Sequence, residues 1–199
     1  DEVGHDKATL VMHTDPRDQH GQDLPHIIEK LGVDKGQVMI SSSKVPPEQL
    51  ALFYNACDYT INISDAEGFG LATLESLSCG VPIIVNMTGG LQEQVTDGTK
   101  WFGWGIQPAS KTIIGSLQVP YIYEDRISQK DFSNTLTKAL KCGKKQYQNM
   151  SKSGMQHVRE NYNFDDFNTS WIELLESIYE RYGSWESRKN YQNWRSISL

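Results

Sequence analysis

An α/β fold is expected: a doubly wound parallel sheet with helices on both faces, followed by a helical C-terminal extension. Three observations carry this expectation. Short strand-like apolar runs alternate with stretches whose apolar residues recur at i, i+3, i+4 and i+7. The run Val81 to Val85 is apolar throughout, as in a central parallel strand covered on both faces. Beyond Ser128 the strand-like runs stop and helical periodicity takes over. Connections of this length between strands and helices imply right-handed crossovers.

Each element follows from its residues. Lys7 to His13 reads as a strand, and Asp23 to Leu31 as a helix with Pro25 near its start and Gly32 as its stop. Val38-Met39-Ile40 reads as a short buried strand. Pro46 to Cys57 reads as a helix whose Leu50, Phe53, Tyr54 and Cys57 form one apolar stripe. Tyr59, Ile61 and Ile63 alternate, giving a strand that ends at Ser64. A glycine loop leads into a helix from about Gly70 to Cys79, then the central strand, then a short helix opened by Gly89-Gly90.

Residues 99 to 127 lose this rhythm. Trp101, Phe102, Trp104 and the segment Gln118 to Tyr123 predict extended pieces and an insertion against the sheet edge or a partner surface. Three helices close the chain, marked by Phe132, Leu136, Ala139 and Leu140, then Tyr147, Met150 and Val158, then Phe167, Trp171, Leu174, Leu175 and Ile178 before Gly183. The expected organisation is one domain over residues 1–183 and a polar tail over 184–199 carrying Trp185, Tyr191 and Trp194.

The chain has 199 residues, of which 38% are hydrophobic, enough for one substantial core. A net charge of -6 with no basic stripe argues against a nucleic-acid surface, and Lys141, Lys144 and Lys145 read as a solvated helix end. The three cysteines have no metal-type spacing and no disulfide framework. Cys57 and Cys79 read as small buried thiols on apolar helix faces, so a reducing, cytoplasmic setting is expected. The apolar runs are too short to span a bilayer. The chain opens on Asp1 without a signal-like segment and reads as a piece of a longer protein.

The chemistry concentrates in Glu67-Gly68-Phe69-Gly70-Leu71-Ala72-Thr73-Leu74-Glu75. Gly68 and Gly70 let the backbone turn sharply and approach a ligand. The amides of Phe69, Gly70 and Leu71 open the helix, where backbone donors and the positive dipole end suit a phosphate. Glu67 before the turn and Glu75 inside the helix can take hydroxyl-rich groups from the same side, which makes a nucleotide-sugar site the expectation. Paired carboxylates also serve glycoside hydrolysis, but there they flank the scissile bond from two sides. The bland alternatives are a solvated helix glutamate for Glu75 and a dipole-favoured helix-entry carboxylate for Glu67. The apolar face of this helix is expected at Leu71, Leu74 and Ser78, with Glu75 beside it.

Gly89-Gly90 opens the next helix at the same sheet end, either as further donors to a ligand or as an ordinary helix start. Lys44 and Val45 follow the second strand at the sheet end where ligands of open α/β sheets bind. His13 ends the first strand on that side and reads as a satisfied strand-end histidine. No metal pairing exists among His5, His20, His26 and His157, and no D-x-D is present.

The nine-residue stretch resembles the E-x7-E signature of the retaining group 1 glycosyltransferases of the GT-B fold. Pro47-Glu48-Gln49-Leu50 through Cys57-Asp58-Tyr59-Thr60-Ile61-Asn62-Ile63-Ser64 is similar to that family's "PPEEL…YAAADV…PS" run. Ser76-Leu77-Ser78-Cys79-Gly80-Val81-Pro82-Ile83-Ile84-Val85 is similar to its "EAMACGVPVI", and Thr88-Gly89-Gly90-Leu91-Gln92-Glu93-Gln94-Val95 to its "GG…E.V". Four motifs in family order, dense over residues 45 to 98, make the resemblance specific.

The resemblance implies the C-terminal, Rossmann-like donor-binding domain of such an enzyme. It assigns ribose binding to Glu75, donor-sugar contacts near the reacting carbon to Glu67, and the phosphate and sugar cradle to Gly68, Phe69, Gly70, Leu71, Gly89 and Gly90. Lys44 and Val45 would lie beside the nucleobase. The implied donor is a nucleoside diphosphate sugar, with no metal required. The implied partner is the N-terminal domain of the same fold, on which the aromatic tail would pack. The family's R…KG pair has no counterpart, since Arg17 stands in the wrong context and Lys7 precedes the first strand. That departure makes the chain alone an inactive fragment by expectation. It leaves a non-catalytic nucleotide-binding module or a GT-B sugar-nucleotide epimerase as alternatives.

Overall fold

The computed structural model of the chain describes residues 7–19 and 21–190. They fall into two compact units, Asp1–Met155 and Gln156–Leu199. The division lies inside a helix, upstream of the 183/184 boundary expected from the sequence; Tyr191 and Trp194 of the tail lie outside the described residues.

The first unit opens with the parallel pair β1 (Leu10–His13) and β2 (Val38–Ser41), connected through α1 (Leu24–Lys30). Asp23 caps α1 by accepting from the His26 amide at 3.1 Å. Gly32 leaves the helix at φ 66°, a conformation that favours glycine. The expected burial of β2 does not hold: Met39 is 57% exposed. A sheet of two strands has no covered centre, and three apolar residues in a row do not distinguish a covered strand from an open one.

α2 (Pro47–Asn55) leads into the second sheet, in which β4 (Ile83–Asn86) runs between β3 (Thr60–Asn62) and β5 (Gly103–Ile106), all parallel. α3 (Leu71–Ser78) connects β3 to β4, and α4 (Leu91–Val95) connects β4 to β5. Successive strand residues face opposite sides of a sheet. All four residues of β4 are buried, so both faces of this strand are covered. On one face Ile84 and Ile106 pack with Ala139 of α5 (Gln129–Leu140), surrounded by Tyr59, Ile61, Trp104, Phe132 and Leu136. The Tyr59 hydroxyl donates to the Ala139 carbonyl at 3.0 Å and fixes that helix on the strand.

β5 falls in the stretch whose rhythm the sequence loses. A side-chain carbon on Gly103 would overlap the Ile83 backbone, so glycine is what permits this strand to pair closely with β4. The same residue weakens the strand signal between Phe102 and Trp104. An antiparallel hairpin follows, β6 (Ser110–Ile114) and β7 (Ile122–Arg126). α5 starts at Ser128, which accepts from the Asp131 amide at 3.0 Å.

α6 (Lys144–Asn161) carries Gly154, where an added carbon would stand 2.8 Å from Leu77 Cδ2, so this helix lies close on α3. Lys141, Lys144 and Lys145 are exposed, as a solvated helix end requires. The cysteines are half-buried at helix ends rather than on helix faces: Cys79 is the C-cap of α3 and Cys57 follows the C-cap of α2. Burial pushes both thiols above their ordinary pKa, with the charges of Asp58 and Glu75 adding to Cys57 and Cys79 respectively.

The second unit holds the end of α6 and α7 (Phe164–Tyr182). Asn163 caps α7 by accepting from the Asp166 amide at 2.8 Å, and Gly183 ends it at φ 73°. No residue of α7 is buried; Phe167, Trp171, Leu174, Leu175 and Ile178 form an exposed apolar stripe.

Truncating the central strand should be costly where truncating the hairpin tip is not. Ile84→Ala is expected to lower stability by about 2–5 kcal/mol, seen as a lower urea midpoint with an unchanged slope. Leu117→Ala, at a fully exposed position, should stay within about 0.5 kcal/mol of the unchanged protein.

Candidate functional site

The glutamate loop leaves β3 at the C-terminal end of the parallel sheet and enters α3 at Gly70. Asn62, the last residue of β3, shapes this exit. Its Oδ1 accepts from the Ser64 amide at 3.1 Å, and its Nδ2 donates to Glu67 Oε2 at 3.2 Å. One side chain therefore closes the turn and orients the first glutamate. The sequence signal for this role is an asparagine at a strand end, a residue given to local backbone bonds.

Gly70 takes φ 90°, and a carbon added there would meet Leu91 Cδ2 at 2.7 Å and Thr73 Oγ1 at 2.8 Å. No side chain caps α3, so its first-turn amides lie outside the helical ladder with no capping acceptor. Gly68 is different, since an added carbon meets nothing within 4 Å. Phe69 and Leu71 are 45% and 68% exposed. The loop thus presents its outer rim at Gly68, Phe69 and Leu71 and buries its inner corner at Gly70.

A buried polar clamp holds that corner. Gln94 Nε2 donates to the Phe69 carbonyl at 2.6 Å, while Gln94 Oε1 lies 2.6 Å from the Thr73 hydroxyl. Thr73 Oγ1 is also 2.8 Å from the Gly70 carbonyl. Both Gln94 and Thr73 are fully buried. The sequence expectation for α3 is corrected here: the buried face is Thr73, Ser76 and Leu77, not Leu71, Leu74 and Ser78. Small hydroxyls fit against the strand because their polar atoms are satisfied, Ser76 Oγ donating to the Val81 carbonyl at 3.0 Å beside Thr60 Oγ1.

Glu75 consequently lies on the exposed side of α3, where the Tyr54 hydroxyl of α2 donates to its Oε2 at 2.8 Å. Burial and the bond to Glu75 push the Tyr54 hydroxyl far above its ordinary pKa, so it remains a donor at every physiological pH. Lys44 is exposed and Val45 half-buried in the connection between β2 and α2. The link from that connection to the glutamates runs through α2 and its Tyr54. His13 is a satisfied strand-end histidine, with Nδ1 3.0 Å from Ser41 Oγ and its ring 5.0 Å from Phe53.

Gly89 and Gly90 have a packing role that their sequence position did not reveal. Gly89 takes φ 47°, and an added carbon would overlap the Glu67 carbonyl oxygen. At Gly90 that carbon would stand 2.7 Å from the Phe69 carbonyl oxygen, and the Gly90 amide donates to the Gly68 carbonyl at 3.2 Å. The loop from β4 to α4 is pressed, backbone on backbone, against the loop carrying Glu67.

Residues 99–127 also acquire a place. The Asp125 amide of β7 donates to the Asp65 carbonyl at 2.7 Å, and the Thr88 hydroxyl donates to Asp125 Oδ2 at 2.8 Å. Arg126 pairs with Asp65 at 2.9 Å and with Glu124. The hairpin is therefore tied to the sheet end that carries the glutamate loop. Among the described residues, no three His, Cys, Asp or Glu side chains cluster as metal ligands, and no helix is long and apolar enough to cross a membrane.

The parallel sheet with its covering helices has the fold of a GT-B C-terminal domain, as solved structures show. The chain superimposes on sucrose-phosphate synthase from Thermosynechococcus elongatus with TM-score 0.64 over 87% of this chain and 39% of that one, at 19% identity. It superimposes on Anabaena HepE, solved with UDP-glucose, with TM-score 0.61 over 85% of this chain and 41% of that one, also at 19% identity. The family model for glycosyl transferases group 1 matches residues 18–157, and the chain belongs to that family. A D-inositol 3-phosphate glycosyltransferase of Acidothermus cellulolyticus is 40% identical over 76 residues, which are 37% of this chain and 17% of that relative. The chain thus matches less than a fifth of that relative's length.

The glycines divide into two kinds that substitution separates. Gly89→Ala is expected to lower the melting temperature markedly, because both its backbone angle and the Glu67 carbonyl oppose a side chain. Gly68→Ala should leave melting unchanged or slightly raised, since it meets open space and restricts only the unfolded chain. Parallel thermal melts of the two variants check this.

Proposed function

We propose that this chain is the donor-binding half of an enzyme that moves a hexose from a nucleoside diphosphate sugar to an acceptor, with retention of configuration. The observation that carries the reading is the pair of carboxylates, each oriented by its own neutral donor on either side of an uncapped helix start. In this reading the diphosphate lies on the amides of the Gly68–Leu71 rim. Glu75 accepts from the ribose hydroxyls, with Lys44 and Val45 toward the base. Glu67 accepts from hydroxyls of the donor sugar near the reacting carbon, and the loop with Gly89 and Gly90 lines the sugar's other side.

The electrostatics favour leaving-group departure. Charge develops on the diphosphate as the glycosidic bond breaks, and prearranged donors aimed at it are usually the largest catalytic contribution. Here those donors are helix-terminal amides, and the reading requires no metal. HepE, solved with UDP-glucose, supports a sugar nucleotide as the donor, and a relative named D-inositol 3-phosphate glycosyltransferase supports glycosyl transfer.

Calorimetry with UDP and GDP tests the cradle directly. The chain should bind one of them weakly and should transfer nothing to any acceptor by itself. Glu75→Ala should weaken nucleotide binding about tenfold or more, the loss expected for a charged hydrogen bond, while binding of a hexose 1-phosphate holds. Equal losses for both ligands would make Glu75 a bystander.

In the whole protein, Glu67→Gln should lower kcat with little change in donor KM. Its charge matters most as the reacting carbon becomes positive, and an interaction stronger in the transition state shows itself in kcat. Steady-state kinetics with the donor varied at saturating acceptor, alongside thermal melting, decide the point. A rise in KM alone would place Glu67 in uniform donor binding.

A further inference from the structure

We propose that Asp125 is a positioning residue: by accepting from Thr88, it latches the β6–β7 hairpin onto the loop that holds Glu67 in place. The consequence for the donor sugar rests on the function proposed above; the latch itself rests on geometry alone.

Asp125 joins three elements at the sheet end. Its amide donates to the Asp65 carbonyl, in the loop leaving β3, at 2.7 Å. Its carbonyl accepts from Nδ2 of buried Asn86, at the end of β4, at 2.6 Å, and that same amide also donates to the Ser64 carbonyl at 2.9 Å. Its carboxylate accepts from the hydroxyl of Thr88, in the loop leaving β4, at 2.8 Å. Two of these three ties use the backbone and survive any change of the side chain. The third depends on the carboxylate.

That third tie is the one that reaches the site. Thr88 is only 4% exposed and directly precedes Gly89 and Gly90. Gly89 lies where any side-chain carbon would overlap the Glu67 carbonyl oxygen, and the Gly90 amide donates to the Gly68 carbonyl. A shift of Thr88 is therefore transmitted through close backbone contact to Glu67 and Gly68. The other partner of the carboxylate, Lys111 Nζ at 3.6 Å, sits on a side chain that is 60% exposed, and such ion pairs contribute little. The bond from a nearly buried hydroxyl to a charged acceptor belongs to the stronger class.

Because the backbone ties remain, Asp125→Ala should fold with the hairpin still in place and only the Thr88 loop released. Thr88→Val should do the same from the other side. Asp125→Asn retains an oxygen that accepts from Thr88, and Thr88→Ser retains the hydroxyl, so both serve as conservative rescues.

Two measurements on the 199-residue chain test the proposal. Without ligand, hydrogen exchange of the amides at 88–92 should quicken about tenfold or more in Asp125→Ala and Thr88→Val, stay near the unchanged rate in the conservative variants, and leave the β4 amides protected. Uniformly faster exchange, or none at 88–92, overturns the latch.

Calorimetry then compares UDP with UDP-glucose and GDP with GDP-mannose. The sugar-dependent gain in affinity should shrink in Asp125→Ala and Thr88→Val and return in the conservative variants, while nucleotide affinity holds. A parallel fall for nucleotide and sugar nucleotide marks a merely structural role and overturns the proposal. Failure of the unchanged chain to bind any of the four ligands sinks the proposed function instead, and hydrogen exchange then decides the latch by itself.

Discussion

The contact on which the site depends is between two loops, with no side chain between them. The loop leaving β4 approaches the loop leaving β3 so closely that Gly89 and Gly90 have no room for a side-chain carbon beside the carbonyls of Glu67 and Phe69. Such an approach brings backbone polar groups together, and each must find a partner or pay for desolvation. The Gly90 amide bonds the Gly68 carbonyl, and Gln94 Nε2 bonds the Phe69 carbonyl. Gln94 is buried, and both ends of its amide are engaged, so its orientation is fixed. The rim that presents Gly68 and Leu71 is thus a rigid consequence of packing beneath it.

The same economy governs the carboxylates. Each is oriented by a neutral donor: Asn62 for Glu67 and Tyr54 for Glu75. An arginine partner would hold a carboxylate equally firmly but would cancel its charge. A neutral donor fixes direction while leaving a carboxylate with remaining acceptor capacity. The neighbouring cation follows a different pattern: Arg126 pairs with Asp65 and Glu124, not with either site glutamate. Arg126 is bound up in anchoring the hairpin.

Legibility in the sequence followed how local each determinant is. The cap of α1, the central strand β4 and the glycine turn into α3 are written in adjacent residues and were readable. β5 was legible only as an extended piece, because Gly103, whose missing side chain lets it pair closely with Ile83 of β4, weakens the strand signal between Phe102 and Trp104. The buried face of α3 was misassigned because Thr73 and Ser76 are polar by composition and interior only through bonds to Gln94, Val81 and Gly70. The hairpin's place depends on Asp125 meeting Asp65, Asn86 and Thr88, partners far away in the chain, which no period announces. Glu67 and Glu75 stood out as residues, while the groups that orient them did not: Asn62 and Tyr54 became meaningful only once strand, loop and helix stood side by side.

Charge sets a final constraint on what this sheet end can do by itself. A diphosphate on the Gly68–Leu71 amides would sit between two carboxylates, and at about 4 Å a like-charge pair costs roughly 1 kcal/mol in water and several times that near a protein surface. Amides at a helix start return only about 0.3–1 kcal/mol each way through the dipole at exposed sites, beyond their hydrogen bonds. The repulsion is the larger contribution, so in the proposed pose the cradle defines where the phosphates lie without holding them tightly. On the proposed function, tighter binding and departure of a leaving group would need added positive charge at this sheet end. Geometry at this sheet end is set by the loops, and on the proposed function added positive charge would have to be brought to them.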